Sequence, residues 1–408
     1  MTGDAHTPGP LHGVRVLELG SFIAGPFAGQ LLGDYGAEVI KVEPPIAGDP
    51  MRQWGITRDG ESLWWPAIAR NKKSVAVDLR DQRGRDIVAA LIDRVDVVVE
   101  NFRPGRLEEW GMGFQPSSER NPGLIMVHVS GFGQTGPRAT EAGFGSIGEA
   151  VGGIRFTTGN PELPPTRAGI SLGDSLAALF AVIGTMAALT ERSRSGRGQQ
   201  VDVAIYEAVA ALMESSMADF EVGGQLRGRT GSVLPGVAPS NVYPTADGSS
   251  IILAANADAV FRRLCSAMGA PELARDERFA GHAARGTNMT VLDHLIGSWT
   301  STMSVPELLA VLADAGVPAG EIFTAANMLS DEHYEARDMV VRRTNRSGVG
   351  IPMAGVVPKF SRTPGTIAHP GPLLGEHTVE IVTGLAGVSA ATVEQLLNDG
   401  ILAATPGR

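Results

Sequence analysis

Apolar positions along the first 130 residues recur with two periods in turn. Val14-Arg-Val-Leu-Glu-Leu-Gly20 alternates and predicts a strand. Ala24–Tyr35 carries helical spacing, and Ala37-Glu-Val-Ile-Lys-Val-Glu43 predicts a second strand. Arg85–Asp93 is helical, Val95–Glu100 is a strand of the buried type, and Leu124–Ser130 is a further strand. Strands alternating with helices predict an α/β fold, a doubly wound, Rossmann-like parallel sheet. Further along, a loop rich in Pro and Gly runs from Pro165 to Gly173, and an almost wholly apolar helix follows through Leu189. Asp202–Val222 also reads as helix, and Gly223–Gly236 as a linker. Asp247-Gly248 marks a hairpin turn. Amphipathic helices follow near 257–268, 289–299 and 305–315. The expected organisation is a large α/β domain over residues 1–225, a smaller α+β domain over 235–335, and a C-terminal part, 338–408, returning to the large domain.

Composition narrows the class. The 408 residues carry a formal net charge of −10, with 43% hydrophobic and 19% charged residues, as in an ordinary globular enzyme. No global basic field is present, so nucleic acid is not an expected partner. The N-terminus has neither a basic nor an apolar signal region. The longest apolar run, Leu176–Leu189, is shorter than the roughly 20 residues that span a bilayer. The expectation is therefore a cytoplasmic protein with no membrane partner. A single cysteine, Cys265, excludes an internal disulfide and a cysteine zinc cage, and no metal is expected.

Asp174 is the residue around which the chemistry gathers. It opens the apolar helix just after Gly173. As a cap its oxygen would accept from unpaired backbone N–H groups. As an anion favoured by the helix dipole it could also attack an acyl carbon, and the two readings are compatible. A dinucleotide site is disfavoured. Glu43 ends the second strand as a ribose-binding acid would, but Gly20-Ser-Phe-Ile-Ala-Gly25-Pro26-Phe-Ala-Gly29 is not G-x-G-x-x-G. Gly143-Phe-Gly145-Ser-Ile-Gly148 matches that pattern literally, yet follows a loop-like stretch and is read as a decoy. His128, alone in an apolar run, is read as structural.

Several motifs carry a resemblance. Gly169-Ile-Ser-Leu-Gly-Asp174, Asn71-Lys72-Lys73-Ser-Val-Ala-Val-Asp78-Leu79 and Asn101-Phe102-Arg103-Pro104-Gly105 resemble the class III CoA transferases. Formyl-CoA transferase, carnitine CoA-transferase and 2-methylacyl-CoA racemase belong to that superfamily. The resemblance runs from Leu11 to about Leu397. It implies an interlocked homodimer, coenzyme A as a substrate, and an acyl group carried on Asp174. By position it implies CoA contacts at Ile23, Ala24, Val77, Leu79, Arg80, Asn101, Phe102, Arg103 and Phe144. Two arginines of formyl-CoA transferase are matched here by Pro44 and Glu109. Phosphate contacts are therefore expected to pass to Arg52, Lys72, Lys73, Arg103 or Arg106. Backbone N–H groups near Gly173 are expected to stabilise developing oxyanions.

The implied reaction moves CoA from an acyl-CoA donor to a free carboxylic acid through aspartyl-acyl anhydride and aspartyl-CoA intermediates. Where the racemase branch carries a catalytic His, this chain has Phe144 and Gly145, which disfavours racemase or isomerase chemistry. A CoA-binding protein without turnover is the other alternative. Arg138, Arg155 and Arg167 flank Asp174 in sequence and are either surface charges or a clamp for the distal carboxylate of a dicarboxylate acceptor. The family's shielding glycine loop has its nearest match at Gly231–Gly236, which lacks consecutive glycines.

Overall fold

The computed structural model describes residues 8–405. Its central sheet contains β1 (Arg15–Glu18), β2 (Glu38–Glu43), β3 (Lys72–Val77), β4 (Val97–Glu100), β5 (Ile125–Ser130) and β6 (Gln200–Ala204). The spatial order is β3-β2-β1-β4-β5-β6, and all five pairings among them are parallel. Leu402–Ala403 adds a seventh, antiparallel strand outside β3. The order reverses between β1 and β4, which opens the crevice where ligands of such sheets bind.

Alternation along the strands builds two cores. Val16, Val97, Val99, Ile125 and Val127 face α1 (Ala24–Asp34) and a long helix, Leu172–Ser195. Leu17, Ile40, Val75, Val98 and Met126 point to the other side, against Ile87, Val88 and Leu91 of α2 (Gln82–Ile92) and Ile381, Val382, Val393 and Leu396 near the C-terminus. The strands are buried on both faces because helices cover both. Each such side chain contributes about 1.5–3 kcal/mol of transfer free energy.

Helix α3 (Gly145–Val151) precedes that long helix, now α4. By length and composition α4 could cross a bilayer, although the apolar run in the sequence looked too short. Within this fold its Ala177, Ala178 and Ala181 face is fully buried in the sheet-and-α1 core. The alanines permit close packing on α1, itself rich in Gly and Ala.

The helix expected over Asp202–Val222 is not observed as such. Gln200-Val-Asp-Val-Ala forms β6 on β5, and helices Ile205–Ala210 and Ser216–Glu221 follow. Alternation over five residues outweighs the helical pattern because β5 offers a free edge to pair with.

The chain forms two compact units. One holds residues up to Ile154, Ala168–Ala218 and Glu332 onward; the other holds Arg155–Arg167 and Asp219–Asp331. The second has its own core, in which Tyr243, Leu253, Phe261, Leu292, Ile296 and Leu308 are buried. It contains an antiparallel sheet whose hairpin, Ser240–Pro244 with Ser250–Ala254, turns at Asp247-Gly248, as the sequence predicts. Gly248 has φ +77°, the left-handed residue that closes a turn in which its N–H donates to Thr245 O at 3.2 Å. Arg285 is fully buried there and is satisfied by the carbonyls of Ala238, Phe279 and Asn256 and by the Asp258 carboxylate.

Candidate active site

The turn after β1 is pinned from two sides. Asn101, one residue past β4, accepts from Ser21 N–H at 2.8 Å and donates to Ser21 O at 2.8 Å. Any side chain at Gly20 would collide with Asn101 Oδ1, 2.9 Å from where a Cβ would sit. On the other side, Asp49 Oδ1 accepts from Phe22 N–H at 3.2 Å and from Met51 N–H at 2.9 Å. Phe22 is held at φ +64°, a left-handed conformation rare for a bulky residue.

A buried charge network supports this turn. Lys41 Nζ lies 2.8 Å from Glu18 Oε1, 2.7 Å from Asp49 Oδ2 and 2.9 Å from Gly20 O. Lys72 Nζ lies 2.7 Å from Glu18 Oε2 and 2.6 Å from Pro26 O. All four ionisable side chains are almost fully buried. Burial pushes the Lys72 ammonium down to about 8, against the pull of Glu18. Burial also pulls on Lys41, but Glu18, Asp49 and Glu43 outweigh it and hold its proton more tightly. Gly29 exists for this network: a methyl there would lie 1.9 Å from Glu18 Oε2. Gly20 and Gly29 of the turn are thus required by close approach to Asn101 and to a buried carboxylate. Glu43 is likewise committed, accepting from both Arg52 Nε and Nη2 at 2.7 Å and from the Ser74 hydroxyl at 2.6 Å.

Asp174 lies in the first turn of α4, three residues past the cap residue Ser171, rather than at the cap itself. Its carboxylate packs on Gly145, the first residue of α3. A Cβ on Gly145 would fall 2.3 Å from Asp174 Oδ2 and 2.9 Å from Oδ1. In the literal G-x-G-x-x-G stretch, Gly145 therefore makes room for a carboxylate. Gly173 N–H donates to the buried Glu149 Oε1 at 3.2 Å, so this amide is occupied and is not a free oxyanion donor as expected. Glu149 was not singled out from sequence; its being the lone charge of α3 was the available signal.

Aromatic rings connect the turn to Asp174. Phe144 precedes Gly145, and its ring meets Phe22 edge-on at 6.5 Å between centroids. Phe22 packs edge-on against Trp54 at 5.2 Å, and Trp54 meets Trp64 at 6.1 Å. Phe144 is 68% exposed and Trp54 43%, so the outer rings face solvent, while Phe22 between them is partly buried against Ile23, Met51 and Trp65. Ile23, Ala24, Asn101, Phe144 and Asp174 are thereby brought together at the crevice between β1 and β4.

The remaining sequence-predicted residues divide. Phe102 N–H donates to Glu100 Oε2 at 2.7 Å, and its ring packs on Trp110. Arg103 is exposed beside it. Arg106 is exposed, paired with Glu109 at 2.9 Å and stacked on Trp110. Val77 is a core residue at the end of β3; Leu79 is half-buried, and Arg80 is exposed and paired with Asp78. Lys72 is the buried partner of Glu18, which removes it from the phosphate candidates. Lys73 lies near the start of β3, at the opposite rim from the ligand-binding strand ends, where Glu38 and Glu380 hold it at 3.0 and 2.9 Å. Its expected phosphate contact has no support in that placement. Arg52 is stacked on Trp65 at 3.8 Å and paired with Glu43. Arg138 pairs with Glu141 and lies over the Phe132 ring. Arg155 and Arg167 fall in the second unit.

His128 is structural, as expected: buried on β5, it lies 2.6 Å from Glu100 Oε1 and 3.2 Å from Gln200 Oε1. A cleft of about 580 Å³ in the first unit is walled by Arg52, Trp65, Arg346, His369, Glu376 and His377. Asp174 is not among its walls, and its arginines are already paired with Glu43 and Glu376. Among the described residues no group of three or more His, Cys, Asp or Glu could hold a metal ion.

Known proteins resemble this chain over almost its whole length. The family model described as CoA-transferase family III matches residues 11–378. Succinyl-CoA–D-citramalate CoA-transferase of Chloroflexus aurantiacus is 57% identical over 383 residues, covering 94% of this chain and 95% of that protein. Succinate–glutarate CoA-transferase of Agrobacterium fabrum is 36% identical over 392 residues, covering 94% of this chain and 98% of its own. The crystal structure of a CAIB/BAIF family protein from Brucella suis superposes with a TM-score of 0.82 at 36% identity, over 93% of this chain and all of that one.

Proposed function

Because the chain belongs to CoA-transferase family III and is an enzyme that transfers CoA, we propose that it moves CoA from succinyl-CoA to a second, hydroxylated dicarboxylic acid, with Asp174 as the covalent carrier. The observation that carries this reading is the Asp174 carboxylate. It lies in the first turn of α4, packed on Gly145 and beside an aromatic wall at the sheet's crevice. The helix dipole favours its anionic form.

In the proposed sequence, an Asp174 oxygen attacks the thioester carbonyl. A C–O bond forms, the C–S bond breaks, and CoA leaves as thiolate, giving a mixed anhydride. The thiolate then attacks the aspartyl carbonyl, succinate leaves, and an aspartyl-CoA thioester remains. The acceptor carboxylate runs both steps in reverse. Every intermediate stays activated, so no other energy source is needed. Water has to be kept out, because it would hydrolyse the adduct. Ile23, Ala24, Asn101, Phe102, Arg103 and Phe144 form the proposed cradle for CoA, with Arg80 and Arg106 as the phosphate-side cations. The dicarboxylate preference rests on the names of the similar transferases and on the arginines around Asp174 in sequence. An interlocked homodimer belongs to the same proposal.

The test is transfer of label from succinyl-CoA to a panel of mono- and dicarboxylic acids, with hydroxylamine trapping of the enzyme adduct. Transfer to a hydroxylated dicarboxylate and a trapped adduct at Asp174 are expected. The Asp174→Asn variant should lose turnover by more than about a thousandfold, the scale on which removing a covalent nucleophile acts. Full turnover in that variant would end the proposal.

A further inference from the structure

The conformation of Phe22 is unexplained by packing alone. A left-handed backbone at a bulky residue persists only where the surroundings enforce it, and such residues gather at functional sites. Here the enforcing groups are identified. Asp49 grips the Phe22 amide, and the buried Lys41 grips Asp49. Asn101 fixes the preceding residue on both its N–H and C=O. This scaffold holds the ring of Phe22 between two exposed aromatics, edge-on to both Trp54 and Phe144. Phe144 is the residue immediately before the glycine on which the Asp174 carboxylate rests. The expected glycine loop lacks consecutive glycines in this chain, so an adduct at Asp174 needs another source of dryness.

We propose that Phe22 is a shielding residue of the acyl site: with Trp54 and Phe144 it forms an apolar wall that keeps water from the carbonyl of the Asp174 adduct, and so sets the ratio of transfer to hydrolysis. The inference rests on Asp174 acting as the acyl carrier. The reaction it suppresses is simple. Water oxygen adds to the aspartyl-CoA carbonyl, a C–O bond forms, and the C–S bond breaks with its electron pair leaving on sulfur. One water proton goes to the thiolate and the other to solvent, which returns Asp174 as a carboxylate. Phe22 takes no part in bond making; it acts by excluding the nucleophile.

The test compares two rates in the full-length protein with succinyl-CoA: free thiol released without an acceptor, and transfer to an accepting dicarboxylate. In Phe22→Ala the hydrolysis-to-transfer ratio should rise about tenfold or more, while KM for succinyl-CoA stays within about threefold. Phe22→Tyr, which keeps the ring, should restore the wild-type ratio. A general loss of structure would lower both rates together and would not be rescued selectively. Trp54→Ala removes the outer part of the wall from a half-exposed position and should raise the same ratio, so the idea remains testable if Phe22→Ala folds poorly. An unchanged ratio in the folded variants overturns the shielding role even if transfer is intact. Absence of transfer in the wild-type protein would instead count against the carrier assignment of Asp174.

Discussion

At the scale of single residues, the site is defined by a contact that leaves no room. Oδ2 of Asp174 occupies the space where a side chain of residue 145 would begin. Gly145→Ala should therefore displace the carboxylate without disturbing the core. A misplacement of about 1 Å costs on the order of a hundredfold in rate. The expected outcome is that kcat falls by that factor while the thermal midpoint stays within a few degrees, measured by steady-state kinetics and circular dichroism. Asp174 itself was legible in the sequence, because an acid at the mouth of an apolar helix is conspicuous. The reason for Gly145 was not legible, since it arises from a side chain 29 positions away in the chain. Lys72 and Lys73 show the same limit. Their composition suggested a phosphate cluster, but one is consumed by Glu18 and the other by Glu38 and Glu380. Those partners become neighbours only when β1, β2 and β3 align and the helix Thr378–Gly384 packs beside them.

At the scale of elements, periodicity located nearly every strand and helix of the sheet, because burial on both faces leaves an unmistakable apolar run. It failed at β6, where an edge strand of five residues abuts a helix and the two patterns merge. The segment around residues 369–377 was not read at all from sequence, yet it carries a pH response. Burial holds the imidazoles of His369 and His377 below their ordinary value. His377 Nδ1 accepts from Ser74 N–H at 3.3 Å, a bond that requires the unprotonated nitrogen. A group whose folded pKa is depressed keeps its contribution above its unfolded value and loses it as pH falls through the folded value. Stability should thus decline on acidification below about pH 6.5. His128 works in the opposite sense. Burial lowers its affinity for a proton, but the hydrogen bond and charge of Glu100 raise it further, so its contribution is full below about pH 6.5 and fades as pH rises through its folded value. The double variant His369→Gln, His377→Gln should flatten the acidic limb of a melting-temperature profile below about pH 6.5 and leave the neutral limb alone. An unaltered acidic limb would show that other groups control it.

At the scale of the whole molecule, the similar transferases are matched almost from end to end, so the fold carries no large addition or loss relative to them. The two-part organisation read from sequence differs from the units observed at three places: residues 155–167 and 219–225 join the second unit rather than the first, and 332–335 join the first rather than the second. No local pattern announces that, because a short loop takes its allegiance from whatever it packs on. One helix face is left uncovered within the first unit. Leu179, Ile183 and Met186 of α4, spaced four and three apart, are 45%, 61% and 37% exposed. An apolar stripe of this kind suits the second copy of the chain that the family resemblance implies. Sedimentation of the wild-type protein is expected to give a dimer, and Ile183→Glu is expected to shift it toward monomer. A dimer that is indifferent to this charge would place the contact elsewhere.

The antiparallel pairing of Leu402–Ala403 with β3 has a consequence for biosynthesis. Strand β3 emerges from the ribosome early, yet the residues that cover its outer edge are translated more than three hundred codons later. Throughout that interval the nascent sheet presents an open row of amides and carbonyls, the kind of template on which neighbouring nascent chains mispair. Folding of this sheet is therefore completed only once Leu402–Ala403 has been made, and a product lacking those residues is expected to aggregate.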